Sequence, residues 1–406
     1  MPHEWSNWSG SVTCHPVELL TPADEGDVAA IVRRAADSAR TVRVCGTGHS
    51  FTPLCATDDV LLSLDRLTGI ESVDVDSRRA WVRAGTKIHQ MGEPLARHGL
   101  ALANQGDVDV QAIGGAISTG THGTGPTLGS ISTQLFGLRI VTAAGQAVEI
   151  SAESNREMFR AAQVALGSLG IVVAVQLQLL PLYRLHEQVR REPLSECLDN
   201  LERRISENRH FEFFWYPTDD MAFTKTLNPT DRPPTDQPEA TLGTPQPAGG
   251  LSSSERDRVA DSWRIFPTVR ENRFNEMEFS VPAEQGVECF GAIRELMRTR
   301  HQSVVWPVEY RTQAGDDIFL SPASGRATVA ISIHQAAQLP HAEFFADAEP
   351  IFRRHAGRPH WAKMHSLSQA ELRPLYPHWD RFQAVRTQLD PDGRFLNEHL
   401  RRLFIA

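Results

Sequence analysis

Residues 113–125 read IGGAISTGTHGTG, and residues 45–52 read CGTGHSFT. The first run holds too many glycines for an ordinary helix, since glycine loses more backbone entropy on helix formation than other residues. It therefore predicts a segment that folds closely on itself or on a ligand. The second run directly follows a predicted short strand at 41–44, the position of a phosphate-binding loop.

The loop from Gly46 to Ser50 has two interpretations. Its glycines would let backbone N–H groups approach an anion, and its hydroxyls would add donors. However, Phe51 stands where a dinucleotide fingerprint has its third glycine, and no P-loop lysine follows. Taken alone, the loop is better read as a plain tight turn. Two glycine–threonine loops in one domain, almost uncharged, favour a large diphosphate ligand held by backbone amides.

His49 lies between Gly48 and Ser50, so it is not a core residue on a helix face. It is either a hydrogen-bonded loop histidine or a nucleophilic imidazole placed against a cofactor.

The composition of the 406-residue chain indicates an ordinary globular protein of two domains or one interrupted domain, with 41% hydrophobic residues. A net charge of -9 argues against a broad surface for nucleic acid or anionic lipid. Five widely spaced cysteines without a CxxC pair predict neither a disulfide framework nor a zinc ribbon. No apolar run approaches about 20 residues, so we expect no transmembrane segment. We also expect no metal site and a cytoplasmic location.

Strand and helix signals alternate with glycine loops over the first 180 residues, which predicts an α+β unit. Beyond it, the order of elements predicts a mixed or antiparallel sheet with helices on one face. The elements behind this second prediction are strands at 276–281, 304–312 and 327–334 and helices at 287–300 and 342–355. Between them and the first unit, the proline-rich residues 228–254 predict a long polar loop or insertion rather than a domain boundary.

Four polar residues of the C-terminal half could carry chemistry. Glu309 and Arg311 share one face of a predicted strand, which could be an exposed ion pair or a paired site. His334 lies at the end of a strand face made of small residues. That face could be the floor of a pocket or could be exposed to solvent. Lys363 lies near Trp361 and is a candidate buried ammonium, whereas the histidines at 360 and 365 lack metal-ligand partners.

Several separated motifs, in this order, resemble the sugar-1,4-lactone oxidase group of vanillyl-alcohol-oxidase-type flavoproteins. That group includes gulonolactone, galactonolactone and arabinonolactone oxidases and the related alditol oxidases. The motifs are GTGHS at 46–50, GTHGTG at 120–125, GSLGI at 167–171 and HWAK at 360–363. The resemblance runs from about Trp5 to Leu403, apart from the proline-rich segment.

The resemblance implies a two-domain α+β fold of the vanillyl-alcohol-oxidase or PCMH type. Residues 1–181 would form the FAD-binding domain. Residues 182–363 would form a substrate-binding cap with a mixed or antiparallel sheet flanked by helices. Residues 364–406 would return to the FAD domain.

FAD is the cofactor that the resemblance implies, joined to His49 through an 8α-histidyl bond. The loop at 46–50 would hold the pyrophosphate, residues 120–123 would line the flavin, and Gly170 with Ile171 would approach the adenosine part. The expected cofactor-binding residues are His49, Cys45, Gly46, Thr47, Gly48, Ser50, Phe51, Gly114, Gly115, Ser118, Gly120, Thr121, His122, Gly123, Gly170 and Ile171.

The activity that the resemblance implies is oxidation of a CH–OH group of a small polyhydroxylated substrate by hydride transfer to flavin N5. Oxygen or another acceptor would take the electrons. Glu309 and Arg311 would hold the substrate. His334 is the first candidate for the base and Lys363 the second, and the Lys363 ammonium would stabilise the reduced flavin. Lactone oxidase, alditol oxidase and tailoring oxidase of a sugar-containing secondary metabolite stay open, as does a non-catalytic flavin-binding relative.

Overall fold

The computed structural model describes residues 3–235, 240–242, 255–270 and 272–405. Strands in the first part of the chain are β1 (Trp5–Ser6), β2 (Thr13–Cys14), β3 (Glu18–Leu20), β4 (Val42–Cys45), β5 (Val60–Ser63), β6 (Ile70–Asp74), β7 (Arg79–Arg83), β8 (Leu100–Ala101), β9 (Leu135–Val141), β10 (Ala147–Ser151), β11 (Ile171–Gln178) and β12 (Leu180–Pro181). Strands in the remainder are β13 (Arg184–Pro193), β14 (His210–Tyr216), β15 (Met221–Thr230), β16 (Ala240–Leu242), β17 (Arg256–Asp261), β18 (Thr268–Arg270), β19 (Phe274–Pro282), β20 (Val308–Gln313), β21 (Thr328–Ala336) and β22 (Arg358–Pro359).

Helices of the described residues vary from one turn to four turns. They are α1 (Glu25–Asp37), α2 (Ile88–Ala96), α3 (Ile113–Thr119), α4 (Arg156–Ala162), α5 (Leu194–Asp199), α6 (Leu201–Glu207), α7 (Ser262–Ile265), α8 (Gly286–Thr299), α9 (Ala342–Arg354), α10 (Gln369–Leu372), α11 (Trp379–Leu389) and α12 (Glu398–Phe404). Within these described ranges, no helix combines the length and the apolar character needed to cross a bilayer.

The N-terminal part contains two main sheets. A three-stranded parallel sheet has the order β3-β5-β4, and a five-stranded antiparallel sheet has the order β10-β9-β11-β7-β6. Helix α1 packs its apolar stripe on the parallel sheet, where Val28 and Val32 join Val42 and Val60 in one buried cluster. This is the α+β unit expected from the alternation of strand and helix signals.

The glycine-rich run at 113–125 differs from its prediction, because its first seven residues form helix α3. The glycines serve packing instead: a Cβ on Gly114 would lie 2.9 Å from the Cβ of Ala84 on the sheet side. Gly120 adopts φ +75° and ends the helix, as a left-handed glycine cap does. The prediction of close packing is therefore right, and the exclusion of a helix is wrong.

An eight-stranded sheet follows, with the order β17-β13-β15-β14-β20-β21-β19-β22 and antiparallel pairing throughout. We call it the cap sheet. One face is apolar and packs on α8 and α9; Phe213 stacks on Tyr310 at 4.8 Å and Phe279 on Phe352 of α9 at 4.9 Å. The opposite face is polar and buried. The expected antiparallel sheet with helices on one face is confirmed.

The proline-rich segment 228–254 is only partly the loop that its composition predicts. Asn228 to Thr230 form the end of β15 and pair with β13. Residues 240–242 form β16, which pairs in parallel with β18. Residues 236–239 and 243–254 lie outside the described residues. Because β15 and β17 both pair with β13, the chain leaves this sheet and returns to it, which agrees with an insertion.

The last residues of the chain pack on the N-terminal part. Phe395 lies in the same buried cluster as Val42 and Val60. The amide of Val42 donates to the carbonyl of Arg394 at 2.9 Å, and Asn397 Nδ2 donates to the carbonyls of residues 53 and 56, each at 2.7 Å. All five cysteines have free thiols.

Candidate active site

Two clefts meet at the boundary between the N-terminal sheets and the cap sheet. The first, which we call the cap cleft, has an empty volume of about 1120 Å³ and lies over the polar face of β19, β20 and β21. The second, the loop cleft, has about 990 Å³ and runs along the glycine loops at 45–50 and 112–119. His49 and Gln111 line both clefts. One ligand longer than either cleft could therefore extend from one into the other past His49.

The four residues predicted to face substrate all line the cap cleft: Glu309, Arg311, His334 and Lys363. Glu309 and Arg311 are 5% and 9% exposed, so they do not form an exposed cross-strand pair. His334 is 8% exposed, so it does not end a solvated face. Strand periodicity places these groups correctly, and burial decides between the two interpretations that the sequence left open.

The predicted cofactor residues divide between the two clefts. Those that line the loop cleft are Cys45, Gly46, Thr47, Gly48, His49, Ser50, Gly114, Gly115, Ser118, Gly170 and Ile171. Phe51, Thr121 and His122 line the cap cleft together with His49. Gly120 and Gly123 line neither cleft; a Cβ on Gly123 would lie 2.3 Å from the carbonyl oxygen of Gln105, so this glycine permits close packing.

Glu276 on β19 was not singled out from the sequence, yet it lies between two predicted residues. Its Oε2 accepts from Lys363 Nζ, and its Oε1 lies 3.5 Å from His334 Nε2. Burial disfavours the charged carboxylate, but Lys363 and His334 outweigh it and hold the pKa of Glu276 well below its usual value.

Glu278, two residues further along β19, is also a missed member of the site. Its Oε1 lies 2.8 Å from His122 Nε2, and its Oε2 accepts from Arg311 Nη2 and from Ser332 Oγ, both at 2.6 Å. Burial opposes its charge, but Arg311 and His122 keep its pKa well below the usual value. The alternation of residues 274–282 could have revealed both carboxylates, since positions 276 and 278 share the face opposite Met277 and Phe279.

Glu309 lies close to two other carboxylates. One carboxylate oxygen each from Glu309, Glu212 and Asp107 lie within 4.8 Å of one another. Lys225 Nζ lies 2.9 Å from Glu212 and 3.5 Å from Asp107. Burial raises the pKa of Glu309 to about 7; Arg311 opposes this rise, and Glu212 and Asp107 add to it. Glu309 can therefore carry a proton near neutral pH and donate a hydrogen bond.

The histidine tautomers follow from their partners. His334 Nδ1 lies 2.9 Å from the carbonyl oxygen of Pro307, which can only accept, so Nδ1 carries a proton and Nε2 faces Glu276. His360 Nδ1 accepts from the amide of Ala362 at 3.1 Å. Burial lowers the pKa of His360 to about 3, with Glu278 opposing and Lys363 assisting. His360 is thus neutral with its proton on Nε2.

The expectation that His360 lacks metal-ligand partners holds only for its sequence neighbours. In the fold, ligand atoms of His360, His122 and Glu278 lie within 4.8 Å of one another. However, Arg311 and Ser332 both donate to Oε2 of Glu278, and its Oε1 lies 2.8 Å from His122 Nε2. These contacts favour a neutralised polar network over a vacant metal site.

The loop cleft has the features that a diphosphate requires. Among the hydrogen bonds of the described residues, none uses the backbone N–H of Thr47, Gly48 or Ser50 as donor. Gly48 has φ +72°, and a Cβ there would lie 3.3 Å from Asn7 Cα, so this turn favours glycine. In α3, a Cβ on Gly115 would meet no protein atom within 4 Å and would enter the cleft. Unpaired amides and an open glycine surface together fit the pyrophosphate of FAD.

Comparison with known protein families identifies the fold and the cofactor class. The family model described as D-arabinono-1,4-lactone oxidase matches residues 175–246 and 246–403, and a model described as FAD binding domain matches residues 16–151. The chain belongs to the D-arabinono-1,4-lactone oxidase family. The resemblance to sugar-1,4-lactone oxidases, the FAD cofactor and the class of oxidoreductase that the sequence predicted are confirmed.

Curated relatives of this family extend over nearly the whole chain. An L-gulono-1,4-lactone dehydrogenase of Mycobacterium tuberculosis is 38% identical over 427 residues, covering 98% of each chain. An L-gulonolactone oxidase of Bos taurus is 30% identical, covering 99% of this chain and 98% of the relative. An alditol oxidase of a Streptomyces species is also 30% identical and covers 98% of each.

Solved structures share the fold at low sequence identity. A cholesterol oxidase from Brevibacterium sterolicum superimposes with a TM-score of 0.86 at 18% identity, covering 100% of this chain and 97% of that one. A 6-hydroxy-D-nicotine oxidase from Arthrobacter nicotinovorans gives 0.68, also at 18% identity, and covers 93% and 90%. These structures and the match to the FAD binding domain confirm the predicted α+β flavoprotein fold.

Proposed function

We propose that this protein oxidises a CH–OH carbon of a sugar-1,4-lactone or a related polyol. The observation that carries this proposal is the meeting of the two clefts at His49, with Glu309, Arg311, His334 and Lys363 all lining the cap cleft. A cofactor in the loop cleft would thus present its reactive end to a substrate among these four side chains. The names of the family and its relatives supply the class of substrate.

FAD would lie with its pyrophosphate against Thr47, Gly48 and Ser50 and its ring system beyond His49. When bound, it supplies an acceptor for a hydride at flavin N5. We propose that His49 also forms the 8α-histidyl bond. This bond replaces one hydrogen of the 8-methyl group and the N–H proton of the imidazole with a C–N bond. Its formation would release two protons and two electrons, which an oxidant such as oxygen would accept.

Glu309 and Arg311 would bind the hydroxyls of the substrate. The Arg311 guanidinium presents fixed planar donors, and Glu309 can donate or accept according to its protonation. Arg311 is held by Glu278 and Glu309, so its orientation is set before substrate arrives. A pre-set orientation reduces the cost of aligning the reacting carbon.

His334 is our candidate for the base that takes the hydroxyl proton. Its Nδ1 donates to the carbonyl of Pro307, which leaves the lone pair of Nε2 on the cleft side. Glu276 lies 3.5 Å from Nε2 and would stabilise the imidazolium formed by proton transfer. Lys363, which donates to the other oxygen of Glu276, would stabilise negative charge on the reduced cofactor and is the second candidate for the base.

The chain division that we propose assigns residues 1–181 to the FAD domain, 182–363 to the substrate cap and 364–406 to a segment that returns to the FAD domain. The contacts of Arg394, Phe395 and Asn397 with the N-terminal part support the last assignment. The cap sheet, which begins at β13, supports the first boundary. We further propose that the protein acts in the cytoplasm.

Two features of the reaction are open to direct measurement: the electron acceptor and the form of the substrate. Relatives named dehydrogenase and oxidase both align over nearly the whole chain, so oxygen and an artificial acceptor such as a quinone should be compared. Alditol oxidation is the second candidate, because an alditol oxidase aligns as fully. A tailoring oxidase of a sugar-containing metabolite would use the same residues.

The deciding experiment is anaerobic reduction of the bound flavin. L-gulono-1,4-lactone, D-arabinono-1,4-lactone and xylitol are added separately under nitrogen, and the oxidised flavin absorbance is followed. We expect bleaching by a lactone at a rate that saturates with concentration. Bleaching by xylitol alone would make the protein an alditol oxidase. If no polyol or lactone bleaches the flavin, the proposed activity is wrong and the reading as a non-catalytic flavin-binding relative gains support.

A further inference from the structure

Residues 5–14 form a hairpin that lies against the glycine loop at 46–50. Strands β1 and β2 pair antiparallel, with Trp5 opposite Cys14. Asn7 closes the turn, since its Oδ1 accepts from the amide of Val12 at 3.0 Å and its amide group contacts Ser9 and a second serine, Ser11. The hairpin precedes the segments that both family models match, the first of which begins at residue 16.

Backbone and amide contacts fix this hairpin to both sides of His49. The amide of Trp8 donates to the carbonyl of Gly48 at 2.8 Å, and Asn7 Nδ2 donates to the carbonyl of Ser50 at 3.0 Å. Asn7 is buried. The residues immediately before and after His49 are therefore both tied to the N-terminal hairpin.

The Trp8 ring adds a contact to the His49 side chain itself. The two rings are stacked, with centroids 5.1 Å apart and planes inclined by 23°. Trp8 also meets Phe274 of the cap sheet edge-on at 5.2 Å and Phe51 at 6.4 Å. Since aromatic neighbours on two sides hold the indole, it can in turn restrict rotation of the imidazole.

We propose that Trp8 is a positioning residue that orients the His49 imidazole for covalent attachment to FAD. The inference rests on the proposed 8α-histidyl bond. Both Trp8 and His49 line the cap cleft, so the stacked pair stands where the two clefts join. A C–N bond forms only when the ring nitrogen points along the approach line to the methyl carbon, and a misaligned group can react ~100-fold more slowly.

The test compares variants of the full-length protein. Trp8→Leu removes the ring and keeps an apolar side chain, whereas Trp8→Phe keeps a smaller ring. Trp81→Leu is the matched control, because Trp81 on β7 is half-buried, as Trp8 is, and lines neither cleft. Each protein is produced with limiting flavin and then incubated with FAD in air. Samples are acid-precipitated over time, and flavin is measured in pellet and supernatant.

We expect all three variants to bind total flavin as the unaltered protein does. Trp8→Leu should form acid-stable flavin about tenfold more slowly or worse. Trp8→Phe should recover part of the rate, and Trp81→Leu should keep it. A purely structural role for Trp8 would reduce total flavin and melting temperature together, and partial recovery by phenylalanine at constant total flavin would not follow from it.

Several outcomes would overturn the inference. Attachment of flavin to Trp8→Leu at the unaltered rate would exclude positioning, and so would a loss of total flavin along with attachment. Unaltered protein with only extractable flavin would refute both the covalent bond and the role of Trp8, while lactone-driven bleaching would still support the proposed activity. Acid-stable flavin that no lactone or polyol bleaches would refute the activity and leave the role of Trp8 intact.

Discussion

Arg311 Nη2 donates to Glu278 Oε2 at 2.6 Å, and the two residues stand on different strands of the cap sheet. The same guanidinium nitrogen lies 3.4 Å from Glu309, and Nη1 donates to the carbonyl of His122 at 3.4 Å. Burial alone would lower the pKa of Arg311, but Glu309 and Glu278 raise it above its usual value. The cation is therefore fixed in one orientation on the floor of the cap cleft.

Arg311→Lys should lose turnover far more than it loses flavin. A lysine keeps the charge but cannot reproduce the planar fork that contacts Glu278 and Glu309 together. The reacting carbon would be misplaced, and we expect the rate of anaerobic flavin reduction by the best lactone to fall ~100-fold. The measurement pairs this rate with the flavin-to-protein ratio.

Arg258→Lys is the control for this substitution. Arg258 is also buried in the cap sheet and ion-paired with Glu187, but it lines neither cleft. The Arg258→Lys protein should show the normal rate of anaerobic flavin reduction, even if its melting temperature changes. An Arg311→Lys protein that is reduced at the normal rate would remove Arg311 from the substrate site, and loss of its flavin would place the residue at the cofactor.

Glu309→Gln should change how stability depends on pH. The pKa of Glu309 in the folded protein is about 7, above its usual value of 4.5. Between these two values the folded state retains a proton that the unfolded state has lost. The stabilisation is complete below about pH 4.5 and disappears as the pH rises through about 7. At pH 8 Glu309 carries a buried negative charge beside Glu212, which lowers the stability of the folded protein.

Melting temperatures of the unaltered and Glu309→Gln proteins at pH 5 and pH 8 test this sign. We expect the variant to gain about 2 °C or more relative to the unaltered protein at pH 8, and to gain less or lose at pH 5. Taking the difference removes groups common to both proteins, such as Asp316, whose pKa burial raises to about 6. A difference that is the same at both pH values would mean that Glu309 does not titrate in this range.

His334→Asn should slow substrate oxidation without loss of flavin. Asparagine can still donate a hydrogen bond to the carbonyl of Pro307, but it cannot take a proton beside Glu276. We expect the rate of flavin reduction to fall by ~100-fold or more, the usual contribution of a general base. His365→Asn is the control, since His365 is a half-buried histidine that lines neither cleft. Equal losses in both variants would indicate a packing effect and not a base.

The sequence predicts those parts of the site that depend on the spacing of residues within one strand. Period-two spacing on one strand placed Glu309 and Arg311 on a common face, and β20 has them there. Glu276 and Glu278 obey the same rule on β19, but acidic residues in a strand usually lie on a solvated face, so the sequence alone does not single them out. Their function in the network depends on cross-strand partners, and a single sequence does not state strand order.

The glycine-rich segments were also predicted only in part. The glycines of the loop after β4 predict a tight turn, and the loop lines the loop cleft. The helix at 113–119 was missed, since its glycines cost helix propensity that the contact of Gly114 with the neighbouring sheet offsets. Trp8 was missed for another reason: the N-terminal hairpin has no periodicity, and its function lies in contacts with residues about forty positions away.

Gly115→Ala should fold normally and yet lose FAD. Gly115 lies within α3, and a Cβ there would meet no protein atom within 4 Å but would project into the loop cleft. Gly291→Ala, in the exposed face of α8, is the matched control, because its Cβ also meets nothing within 4 Å and it lines neither cleft. Replacing a helical glycine with alanine favours each helix by about 0.5–1 kcal/mol, so neither variant should melt earlier as the apoprotein. Only Gly115→Ala should show a flavin-to-protein ratio reduced on the order of tenfold at limiting FAD, since one added methyl group would displace a cofactor that passes over α3. Full flavin content in Gly115→Ala would mean that the cofactor does not contact this helix.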